Sequence, residues 1–143
     1  MDRRDWLTLL LAYKGAHGPA LDPVRIQKGM FLFSEEGGAP ESERYVFEPY
    51  HYGPYSSAVK QDVDLLVAKG LAARVPVPGY TWDRHKLTEA GMARARVIFD
   101  EAPKASARKL YEIKQEITGV GFSQLLKSVY ERYPGYAENS IFA

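Results

Sequence analysis

The chain has 143 residues, the size of one ordinary domain, and its 45% apolar and 26% charged content suits a packed soluble core rather than a disordered segment. Nineteen basic against 18 acidic residues leave a formal charge of +1, which excludes a uniformly basic coat but leaves room for a local basic patch. There is no cysteine, so disulfides, thiol catalysis and cysteine-ligated zinc are excluded, and a reducing compartment fits.

The start, MDRRDWLTLLLAY, is basic and then apolar, but the apolar run is short and no small-residue cleavage site follows it. No window approaches the roughly 18–20 uninterrupted apolar residues of a membrane span, so a cytoplasmic protein without membrane contact is expected. The three-and-four spacing of Trp6, Leu9, Leu10 and Tyr13 predicts a first helix from about Asp2 to Tyr13, ended by Gly15, Gly18 and Pro19. Asp22 as N-cap and Pro23 at the first helical position open a second helix, with Ile26, Met30 and Phe33 on one stripe. Glu35 to Gly38 stop it, and Gly37 to Arg44 is polar enough for a surface loop. Val46 to Tyr52 predicts a short strand, and Tyr52-Gly53-Pro54-Tyr55 a turn. Ser56 or Ser57 caps a third helix that runs to about Lys69, with Val59, Val63 and Leu66 inward and Gly70 at the stop.

The period then changes. Ala72 to Val77 and Thr81 to Leu87 predict an antiparallel hairpin around Pro78-Gly79, a pair that suits a type II turn. Thr88 caps a fourth helix from Glu89 to about Glu101, and Pro103 breaks it. Two more helices are expected, Ala105 to Thr118 and Phe122 to Tyr133. The expected fold is therefore mainly α with a small β-hairpin: a winged helix-turn-helix core over residues 1–102, with a C-terminal helical extension over 103–143 packed on it as one domain. In such a fold three helices bury their stripes together, the hairpin covers the open edge, and the third helix keeps an outer face for the major groove of DNA.

The run VKQDVDLLVAKGLAARV followed by a hairpin and HKLTEAGMARAR, with Leu66, Gly70, Leu71, Leu87, Thr88 and Gly91 at its entry points, resembles winged-helix regulators of the PadR and MarR kind. VRIQKGMFLFSE, YHYGPYSSAVKQDVDLLVAKGL and the late VYERYPGYAENS together resemble YwgA-like proteins and, more loosely, the Panacea domain of SocA-like antitoxins. That resemblance implies a small prokaryotic cytoplasmic protein whose relatives are linked to toxin neutralisation, proteolytic adaptors or mobile-element defence. It transfers no catalytic residue.

Charge is uneven along the chain. Residues 1–70 hold 8 basic and 10 acidic side chains, whereas residues 72–114 hold 9 and 5. Ser57, Lys60 and Gln61 on the third helix, with Arg74, Arg84, His85 and Lys86 on the hairpin, are the candidate nucleic-acid contacts, since such residues neutralise phosphates or read base edges. Asp62 and Asp64 on that helix argue the other way, and a solvated face with a mixed-charge hairpin is the competing reading. Tyr50, Tyr52 and Tyr55, with Tyr45, Phe47 and His51 nearby, are candidate partner contacts, because tyrosine offers large area with few rotors; rings filling the gap between helices two and three are the alternative.

His17, His51 and His85 are far apart, without metal-ligand spacing, and no phosphate loop or nucleophile elbow occurs, so no metal, cofactor or catalytic residue is expected. Two functions follow. One is a DNA-binding regulator of double-stranded DNA, a homodimer joined through Leu110, Ile113, Ile117, Leu125 and Val129. The other is a protein-interaction module: an antitoxin, a proteolytic adaptor or a defence-complex subunit that does not bind DNA.

Overall fold

Asp2 starts the first helix through a reciprocal cap, in which its carboxylate accepts the Asp5 amide at 2.9 Å and the Asp5 carboxylate accepts the Asp2 amide at 3.0 Å. In the computed structural model, which describes residues 1–141, α1 spans Arg3–Ala12. Asp22 caps α2 (Pro23–Glu35) through the Arg25 amide, with Pro23 at the first turn. Of the two serines expected to cap α3 (Ser57–Ala68), Ser56 does so, accepting the Val59 amide. Thr88 caps α4 (Glu89–Glu101) through the Gly91 amide at 3.1 Å. The chain ends in α5 (Lys104–Thr118) and α6 (Phe122–Arg132), followed by a 3-10 turn, Pro134–Ala137.

Among the described residues four short strands form two separate antiparallel hairpins. The predicted hairpin is β3 (Ala72–Pro76) against β4 (Asp83–Leu87), in register Arg74↔His85 and Val75↔Arg84. Its Pro78-Gly79 turn closes with the Tyr80 amide on the Val77 carbonyl at 3.1 Å, but the connection runs from Val77 to Trp82 and the returning strand begins two residues later than expected. The first hairpin replaces the single strand expected over Val46 to Tyr52. Only Glu48–Tyr50 is β1, and the chain turns over His51 and Tyr52 to return as β2 (Gly53–Tyr55). Pro49 lies opposite Pro54, a position where neither proline's missing N–H is missed, and Gly53 makes the turn at φ 87°.

The helices nearest the centre are buried almost all round. Trp6 to Leu11 of α1 and Ile26 to Ser34 of α2 are buried without a break. α5 packs against both, and α4 covers α1. Leu110, Ile113, Ile117, Leu125 and Val129, expected to face a second copy, are at most 1% exposed and belong to the same apolar core as α1 and α2. Their stripe is consumed within the chain, so they cannot supply a dimer contact. Among the described residues no helix is long and apolar enough to cross a membrane.

Two lysines are carried into this core. Lys114 on α5 is fully buried and donates to the carbonyls of Leu10 at 2.7 Å and Pro19 at 2.9 Å, tying α5 to α1 and to the turn before α2. Burial lowers its pKa from 10.5 to about 7. Between those values the unfolded chain holds the proton that the folded chain releases, so stability rises with pH across this window. Urea unfolding midpoints are expected to climb from pH 7 to 10, and Lys114→Met to flatten the climb to what Lys28, shifted in the same direction, still contributes. A second expectation concerns Gly91, where an added Cβ would sit 1.9 Å from the Leu71 backbone carbonyl oxygen. Overpacking against backbone costs about 1–3 kcal/mol or more, and Gly91→Ala should lose at least that in chemical unfolding.

Candidate functional site

The two hairpins stand on either side of the N-terminal half of α2 and leave a channel between them. One stretch, about 710 Å³, is walled by Tyr50, Tyr52 and Tyr55 of the first hairpin, Tyr80 and Trp82 of the second and Phe122 of α6. Its floor is Pro23, Val24, Gln27 and Lys28. The next stretch, about 390 Å³, runs on between α3 and the second hairpin past Val59, Lys60, Asp64, Arg74 and His85. Pro23, Gln27, Tyr55 and Trp82 line both stretches, so the two adjoin.

The rings are placed by the hairpins rather than by the core. Tyr50 stacks on His51 at 4.6 Å between centroids and lies 5.1 Å from Tyr55, while Tyr80 lies 4.9 Å from Trp82. Tyr50, Tyr52, Tyr80 and Trp82 are 46%, 42%, 63% and 37% exposed, a concentration of apolar surface beyond scattered single residues. The three predicted partner-contact tyrosines therefore come together. Tyr45, their neighbour in sequence, does not join them: it is buried and donates to Asp62 at 2.7 Å. Burial first, and then the Asp62 carboxylate beside it, push the Tyr45 hydroxyl pKa up.

The floor is polar where it meets the first hairpin. The Gln27 side chain accepts the Ser56 amide at 2.8 Å and donates to the Ser56 carbonyl at 3.0 Å. Lys28 is 2% exposed and donates to the Pro54 carbonyl at 2.9 Å. Burial lowers its pKa to about 7, with the Asp22 carboxylate opposing that shift. Arg25 beside it is committed to Asp22 and to the carbonyls of Ile117 and Val120.

The predicted nucleic-acid set is not brought together. Ser57, Lys60 and Gln61 are exposed on α3 as expected, but Lys60 and Arg74 both pair with Asp64, at 3.0 and 3.3 Å. Strand alternation separates the rest: Arg74 and His85 are direct cross-strand partners on one face, and Arg84 and Lys86 stand exposed on the other. His85 is a correction. Its backbone exchanges both hydrogen bonds with Leu21, the residue is 9% exposed, and its Nδ1 has no hydrogen-bond partner among the described residues. It is held against the core and is not an outward basic contact. Asp62, expected to repel phosphate from the outer face of α3, is instead buried beneath Arg3, Arg4 and Tyr45.

The excess positive charge of residues 72–114 is also largely spent. Arg94 pairs with Asp5 and Lys109 with Glu36, both acids from the N-terminal half, and Lys114 is buried. Sequence reasoning missed Tyr80, Trp82, Phe122, Gln27 and Lys28 as parts of the site. Their signals were two rings just after the Pro78-Gly79 turn and a Gln-Lys pair on the mostly apolar second helix. Among the described residues no group of three or more acidic or histidine side chains is close enough to hold a metal. No protein-family model matches the chain, and no curated protein matches it significantly.

Burial, with Arg74 adding to it, lowers the pKa of His85 below its ordinary 6.5. As pH falls through about 6.5 the unfolded chain takes up a proton that the folded ring resists, so stability is lost on the acid side of that value. His85→Leu removes both the unpaired Nδ1 and this proton. Urea midpoints at pH 7.5 and 5.5 are expected to differ less in His85→Leu than in the parent.

Proposed function

We propose that the chain is a non-catalytic binding protein of winged-helix type, whose channel between the two hairpins holds a segment of a partner polypeptide. The element order supports the winged-helix part: α1, α2 and α3 precede the β3–β4 hairpin, and α4 follows it. The observation that carries the binding reading is the gathering of Tyr50, Tyr52, Tyr55, Tyr80 and Trp82 around one concavity. Rigid rings with an apolar body and a polar tip give large contact area at low entropic cost, which is why they dominate protein interfaces. The resemblance to antitoxin-like proteins supports a partner such as a toxin or a defence-complex subunit.

Duplex DNA is the competing reading, supported by exposed Ser57, Lys60 and Gln61 next to a hairpin that carries Arg84 and Lys86. Against it stand the Asp64 carboxylate between Lys60 and Arg74 and the division of the basic residues between two faces. The two readings separate in one purification from the native host. The parent chain is expected to retain a polypeptide in fixed stoichiometry, and the Tyr80→Ala/Trp82→Ala double variant, at two exposed positions, to lose it while keeping the parent's unfolding midpoint. Retention of nucleic acid alone, with duplex affinity that falls with salt and drops in Arg84→Ala/Lys86→Ala, would overturn the polypeptide reading.

A further inference from the structure

One carboxylate on the channel wall stands without a partner. The 390 Å³ stretch is lined by two basic side chains, Lys60 and Arg74, and two acidic ones, Asp64 and Asp83. Asp64 takes both bases, at 3.0 and 3.3 Å. Among the described residues the Asp83 side chain has neither a salt bridge nor a hydrogen bond. Strand alternation places Asp83 on the inward face of β4 with His85 and Leu87, while Arg84 and Lys86 point outward. Asp83 follows Trp82 directly, and both line this stretch.

An aromatic face and a carboxylate with unused acceptor oxygens therefore meet at one point of the wall. Each attracts a cation, the ring through its quadrupole and the carboxylate through its charge and lone pairs. An anion finds no equivalent. Arg25 is bonded to Asp22, Lys60 and Arg74 share Asp64, and Lys28 is 2% exposed against the Pro54 carbonyl. Lys60 and Arg74 are about half exposed or more, so water and salt screen the charge they hold beyond that of Asp64.

The same arrangement occurs in filled form elsewhere in the chain. The Arg3 guanidinium lies 5.0 Å from the centre of the Tyr45 ring and 3.9 Å from the Asp62 carboxylate, to which the Tyr45 hydroxyl also donates. Trp82 and Asp83 offer a ring and a carboxylate with no arginine on them. Arginine suits the pair better than lysine, because the guanidinium is flat enough to lie on an indole and its forked N–H donors match a carboxylate. We infer that the channel anchors its partner polypeptide by an arginine side chain, with the guanidinium on the Trp82 ring and bonded to the Asp83 carboxylate. This rests on the polypeptide reading of the channel and adds the residue by which the partner is recognised.

The test is selection of a displayed library of random dodecapeptides on the full chain, with counter-selection on Asp83→Asn, which keeps the size of the side chain and removes its charge. Every enriched sequence family is expected to carry an arginine at a fixed place. In a selected peptide, exchanging that arginine for citrulline keeps the shape and removes the charge. The exchange should weaken binding to the parent chain by about tenfold or more and change binding to Asp83→Asn little. The unfolding midpoint of Asp83→Asn is measured alongside, and if it falls, the citrulline exchange on the parent chain decides alone. Enrichment of sequences without arginine, absence of enrichment, or indifference of the parent chain to citrulline would each overturn the inference. A host partner lost from Tyr80→Ala/Trp82→Ala but fully retained by Asp83→Asn overturns this inference alone. Arginine peptides that need Asp83, with no polypeptide recovered from the host, overturn the earlier reading alone.

Discussion

The contact on which the site depends is the grip of α2 on the backbone of the first hairpin and the start of α3. Gln27 satisfies both the N–H and the C=O of Ser56, and Lys28 satisfies the Pro54 carbonyl. These backbone groups are buried, where an unpaired donor or acceptor costs about 1–3 kcal/mol. Two neighbouring side chains on one helix therefore fix where β2 ends and where α3 begins. Ser56 is held by its backbone and caps α3 with its hydroxyl, so the same residue orients the helix and closes the hairpin. The tyrosines of the first hairpin are displayed from this fixed base, which sets one wall of the channel at a definite distance from α2.

Charge distribution follows from the same packing. The acidic excess of the N-terminal half and the basic excess of the C-terminal half meet across the interface between α1, α2 and the later helices. Glu36 at the end of α2 holds both Lys109 and Arg132, and Asp5 holds Arg94. Side chains that would form a basic stripe on an extended chain instead pair with acids brought to them by the fold. Such exposed and half-exposed pairs add little to stability, but they remove charge that a phosphate backbone would need.

The elements that could be read from the sequence are those with local causes. Asp22-Pro23, Ser56 and Thr88 announce helix starts because a side-chain oxygen and a free amide are only three residues apart, and Pro78-Gly79 announces a turn for a similar reason. What could not be read depends on partners distant in the chain. Gly53–Tyr55 is a strand only because β1 lies beside it, and its Gly-Pro composition reads locally as a turn. His85 is drawn inward by Leu21, 64 positions earlier, and Asp62 by Arg3, Arg4 and Tyr45. The partner-contact tyrosines were legible as a cluster within one hairpin. The facing rings, Tyr80 and Trp82, were not, because nothing local says that two hairpins will share one channel.

Leaving these rings outside the core has a thermodynamic meaning. Burying an aromatic side chain is worth about 25 cal/mol for each Å² of apolar surface removed from water, and the core of this chain takes up Trp6, Phe31 and Phe33 almost completely. The same core had no room for Tyr50, Tyr52, Tyr80 and Trp82, since both hairpins turn their inner residues, Ala72, Pro54 and Leu87, toward the helices. The unburied rings therefore hold a reserve of apolar free energy that folding does not use. Tyr50 against Tyr55, Tyr80 against Trp82 and Tyr52 edge-on to Phe122 of α6 keep each wall preorganised. A partner that filled the space between the walls would recover the reserve without having to order the rings first, and this is the physical argument for the proposal that the channel, rather than the exposed face of α3, is the binding surface.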